Sequence, residues 1–120
     1  MAKLIREYEI LEDRFSKLSW LLSDFNSDIS GLKKEKEIIA GFVKELKDPS
    51  QVQETLEQGR QFLALDELPI KWIRALSQRR PSLIEGNTKH VLEPTYENYY
   101  NWIKWMIEEV EREAKRQGKL

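Results

Sequence analysis

Apolar residues keep a common step through the first part of the chain. Counting alternately by four and three gives Leu4, Tyr8, Leu11, Phe15, Leu18, Leu22, Phe25, Ile29, Leu32, Lys36, Ile39, Val43 and Leu46. All but Lys36 are apolar, which is the heptad pattern of a coiled coil or a long bundle helix. The pattern predicts an all-α fold: one long coiled-coil-like helix over about 3–47, then a small helical bundle over 50–117. At 1.5 Å per residue the first helix would be about 65 Å long.

The phase holds through "SDFNSDISG", residues 23–31, although Ser, Asp, Asn and Gly favour caps and turns over helix interiors. A break near 24–31 is the alternative, and it would make the chain a compact four-helix bundle. Ile5, Leu21, Ala40 and Phe42 flank the core slots, with Ile10, Trp20 and Ile38 further round. That breadth calls for more than one neighbouring helix. Lys36, in a core slot, either limits strand number or snorkels its amine outward.

Beyond Pro49 the pattern shortens. Ser50 and Gln53 have capping-box spacing for a helix over about 51–65, with Gly59 weakening its middle. Asp66 in "DELP" suits the cap of a third helix, about 68–79. "PSLIEGN" reads as a short helical turn closed at Gly86, and 87–94 as an irregular connection; no strand is expected. Pro94 and Thr95 start the last helix, which runs to about Gln117 ahead of Gly118. On its wheel Tyr96, Tyr99, Tyr100, Ile103, Met106, Ile107, Val110 and Ala114 share one face, with Trp102 at the margin. Trp105 points the other way, among Asn98, Asn101, Glu108 and Arg112.

Length and composition, at 120 residues, 40% hydrophobic and 34% charged, suit a single globular domain over 1–120. A net charge of −1 supplies no global field for nucleic acid or an anionic membrane. The chain has no Cys, so disulfides, thiolate metal sites and cysteine nucleophiles are excluded together. No stretch approaches the ~20 apolar residues of a membrane span, and the N-terminal residues lack an apolar signal core. A soluble, cytoplasmic protein is expected.

Signatures of catalysis are sparse. His90 is the one histidine, and there is no glycine-rich phosphate loop or nucleophile motif. No cofactor or metal is expected. Charge is nevertheless unevenly spread: residues 1–70 carry −4 and residues 71–120 carry +3. Lys71, Arg74, Arg79, Arg80 and Lys89 face a lone Glu85 between 71 and 90.

These observations predict a non-enzymatic assembly or adaptor protein. It would self-associate as a homodimer through Leu11, Phe15, Leu18, Leu22, Phe25 and Ile29. It would bind a protein partner through Lys71, Arg74, Arg79, Arg80 and Trp105, with no membrane involved. The alternative is a small dimeric DNA- or RNA-binding regulator that uses the basic segment 71–90.

Overall fold

Three helices, not one, occupy the heptad seam. The computed structural model describes residues 2–27, 34–85 and 88–120. Within them, α1 (Ala2–Arg14), α2 (Ser16–Ser27) and α3 (Glu35–Glu45) cover the seam. Between α1 and α2 the hydrogen-bond ladder opens. Phe15 N–H donates to the Leu11 carbonyl and Ser19 N–H to the Phe15 carbonyl, both at 2.8 Å. Lys17 and Leu18 N–H instead donate to Gln58 Oε1, at 2.8 and 3.4 Å. A side chain inserted into the ladder is a recognised cause of a helix kink.

Lys34, ahead of α3, has extended backbone (φ −68°, ψ 148°). Ile29, Gly31 and Leu32 lie outside the described residues. The expected 3–47 helix and its coiled-coil geometry are therefore corrected. Such a helix needs about 65 Å, whereas the longest extent of the protein is 42 Å. The radius of gyration, 13.9 Å, matches the ~13.6 Å of a compact 120-residue globule. The four-helix alternative falls short as well, because the described residues form six helices and a hairpin.

Helix α4 (Pro49–Leu63) begins two residues earlier than its sequence signals suggested. Asp48, not Ser50, is the N-cap, accepting from Gln51 N–H at 3.1 Å. Gln51 Oε1 reaches back to Lys47 N–H at 2.6 Å, so two orphan donors are satisfied reciprocally. Pro49 opens this helix, where its missing N–H costs nothing. Helix α5 (Ile70–Ser77) follows Pro69 and has no side-chain cap, so Asp66 does not serve as one. It closes at Gln78, which adopts the left-handed conformation (φ 54°, ψ 32°).

The expected helical turn at 81–87 is instead strand β1 (Ser82–Glu85), antiparallel to β2 (Thr88–Val91). Ser82 pairs with Val91 and Leu83 with His90. The last helix, α6 (Tyr96–Arg116), starts from Thr95, whose hydroxyl accepts from Asn98 N–H at 3.2 Å.

The core forms where α2 packs on α3, α4 and α5, and α6 packs on α3 and α4. Phe15 and Trp72 both meet Phe62, with ring centroids 5.1 and 5.6 Å away. Phe25 meets Trp102 at 5.6 Å. Trp102, marginal on the helical wheel, is fully buried, while Tyr96 is about half exposed. Buried Glu35 ties three elements together. Its Oε2 accepts from Trp102 Nε1 at 3.0 Å, and Lys89 Nζ of β2 lies 3.1 Å from Oε1. That second contact is an ion pair. At the other end of α3, Lys119 Nζ donates to the Val43, Lys44 and Leu46 carbonyls at 2.6–2.9 Å. A cation there satisfies the orphan carbonyls of a helix C-terminus.

Candidate functional site

Helix α5 buries Trp72 and Ile73 and exposes Lys71, Arg74 and Ala75. Spacings of three and four place these residues, with Gln78, on one helix face. Ala75 has a single methyl, so the cationic side chains border a recess. The resulting cleft, about 430 Å³, is lined by Lys71, Arg74, Ala75, Gln78, Arg79, Arg80 and Tyr99.

The two ends of this charge run are held differently. Neither Lys71 nor Arg74 forms a salt bridge among the described residues. Arg79 Nε donates to the Phe25 carbonyl at 3.0 Å, and its guanidinium lies 5.7 Å from the Phe25 ring centroid. That carbonyl belongs to the last turn of α2, where intrahelical donors run out. Arg80 Nε donates to the Leu92 carbonyl at 3.1 Å, and a terminal nitrogen lies 3.4 Å from Glu93. The left-handed turn at Gln78 directs both arginines off the end of α5 toward the same recess.

Tyr99 closes the floor from α6. It is fully buried and its hydroxyl donates to the Arg79 carbonyl at 3.3 Å. Burial pushes this hydroxyl above its ordinary pKa of 10.0, while Arg74 and Arg80 pull in the opposite direction. It therefore stays protonated at neutral pH. An anion entering the cleft would meet two exposed cations and two guanidiniums oriented by backbone carbonyls. A planar guanidinium held this way is suited to bidentate carboxylate or phosphate contacts.

Of the residues singled out from sequence, Lys71, Arg74, Arg79 and Arg80 are brought together here. Trp105 is not among them; it is half-buried and packs against the core. Trp20 is also half-buried, edge-on to Phe42 at 5.1 Å. Phe15, Leu18, Leu22 and Phe25 are fully buried within the chain, Leu11 is half-buried, and Ile29 lies outside the described residues. A coiled-coil seam on the buried four would have to open the core. Tyr99 was missed as a cleft residue because its helix face reads as ordinary core. Along α6, Glu111 pairs with Lys115 and Arg112 with Glu109.

Among the described residues no group of three or more His, Asp or Glu could hold a metal ion, and no helix is long and apolar enough to cross a membrane. No protein-family model, curated protein or solved structure matches the chain.

Proposed function

We propose that the protein is a binding module rather than a catalyst, and that the cleft beside α5 receives a short acidic segment of a partner protein. The observation that carries this reading is the gathering of Lys71, Arg74, Arg79 and Arg80 around one recess. The protein as a whole is slightly acidic. Its positive field is local, matching a few carboxylates better than an extended polyanion. The nucleic-acid alternative would draw on aromatic faces for stacking, but Tyr99, the aromatic that lines the cleft, is fully buried. A cysteine-free chain suits work in a reducing compartment such as the cytoplasm.

The test uses a fluorescein-labelled peptide with three consecutive aspartates, a 20-nucleotide single strand and a 20-base-pair duplex as probes. Lys71→Glu with Arg74→Glu is the informative variant, since both side chains are exposed on α5. The peptide should bind the parent, with at least a tenfold loss in the variant at unchanged circular dichroism. Tighter binding of either nucleic acid, with a salt slope of several phosphates, would transfer the cleft to the other class. Equal peptide binding by parent and variant would remove it as the working surface.

A further inference from the structure

Lys71 also borders a second recess. This groove, about 480 Å³, is walled by Tyr8 and Leu11 of α1, Ile70 and Trp72 of α5, and Tyr96 of α6. Tyr96 is 47% exposed, presenting its ring to the groove's opening. Trp72 is 1% exposed, and its indole N–H has no acceptor. Its counterpart Trp102 meets the same need with Glu35. A buried donor without a partner is costly, and it makes the Trp72 indole a sensitive reporter beside the groove. The rim also carries Glu7 and Glu67. The lining therefore carries both signs of charge, and Lys71 is shared with the cleft.

We infer that recognition is bipartite: the groove takes one bulky apolar side chain of the partner, and the neighbouring cleft takes the acidic residues beside it. This rests on the cleft reading above and names the partner segment more closely. Charge complementarity selects the occupant. Acidic residues are attracted where the segment passes Lys71 into the cleft, and repelled where it lies near Glu7 and Glu67. The segment is thus a bulky apolar residue with carboxylates on one flank alone. From Lys71 to Gln78 the helix rises about 10 Å, which three extended residues span. Three carboxylates is therefore the matching run.

Four peptides in fluorescence anisotropy test the arrangement: three aspartates alone, a Trp followed by three aspartates, a Trp preceded by three aspartates, and a Trp with three aspartates on both flanks. One of the two single-flank Trp peptides should bind at least tenfold tighter than aspartates alone, and the doubly flanked one should lose most of that gain. Tyr96→Ala should abolish the gain while leaving the aspartate-only affinity unchanged. The Trp72 indole N–H resonance should shift with the Trp peptides and stay in place with aspartates alone. If an added Trp changes neither affinity nor that resonance, the bipartite arrangement is wrong while the cleft stands. If Lys71→Glu with Arg74→Glu leaves every peptide unaffected, the cleft itself is wrong. A concentration-dependent rise in mass that Tyr96→Ala abolishes would make the occupant a second copy of this chain and overturn the partner segment.

Discussion

A Cβ placed on Gly59 would lie 2.4 Å from Ile107 Cδ1 and 2.6 Å from Cγ1, so α4 and α6 approach each other through the missing side chain. Because Ile107 is branched at Cβ and its Cγ2 would also be at 3.1 Å, turning one methyl aside does not clear the space. Gly59→Ala should therefore destabilise the protein by about 1–3 kcal/mol, typical of overpacking. Gly41, exposed in α3, has nothing within 4 Å of the same added atom. Gly41→Ala should stabilise by about 0.5–1 kcal/mol through backbone entropy alone. Urea melts of the two variants should move in opposite directions.

Gln58 holds the opened ladder between α1 and α2. Removing its side chain leaves Lys17 and Leu18 N–H without their acceptor. Gln58→Ala should cost about 1–2 kcal/mol, the usual range for losing a cap or a half-buried hydrogen bond. Amide exchange should accelerate first at Lys17 and Leu18. Unchanged protection there would mean that the ladder closes on its own and that Gln58 does not cause the kink.

Acid should loosen the end of α6. The hydrogen bond from Arg116 holds the Glu113 carboxyl below its ordinary pKa of 4.5, with help from Gln117. Gln117 in turn donates to the Ala40 carbonyl of α3 at 3.1 Å. A depressed folded-state pKa means that this contribution is present above about pH 4.5 and is lost as pH falls through the lower folded value. The melting temperature of the parent should exceed that of Glu113→Gln at pH 7, and the gap should close as pH falls below about 4.5. A constant gap would assign the difference to packing instead of charge.

The heptad step found a real face. Phe15, Leu18, Leu22, Phe25, Ile39, Val43 and Leu46 are all buried. What periodicity could not convey was that α2 and α3 bury this face against their own chain. The opened ladder after Phe15 depends on a side chain 41 residues beyond Lys17, which no local pattern records. The hairpin escaped because each strand has four residues and β2 is exposed throughout, so it lacks the alternation that marks a half-buried strand. The cleft was legible in part. Lys71 and Arg74 share a helix face by spacing alone, whereas Arg79, Arg80 and Tyr99 join them through the turn at Gln78 and the docking of α6.

Synthesis delivers the seam before its cover. About fifty residues separate the end of α3 from the start of α6, several seconds of elongation at 5–20 residues per second. During that interval the nascent chain carries an apolar heptad stripe without α6 to pack on, and neighbouring nascent copies offer the same stripe. Gln58 emerges early within it, and its amide takes the Lys17 and Leu18 N–H groups. The seam is then divided among helices of 13, 12 and 11 residues, each under two heptads and short of the run that a coiled coil sustains.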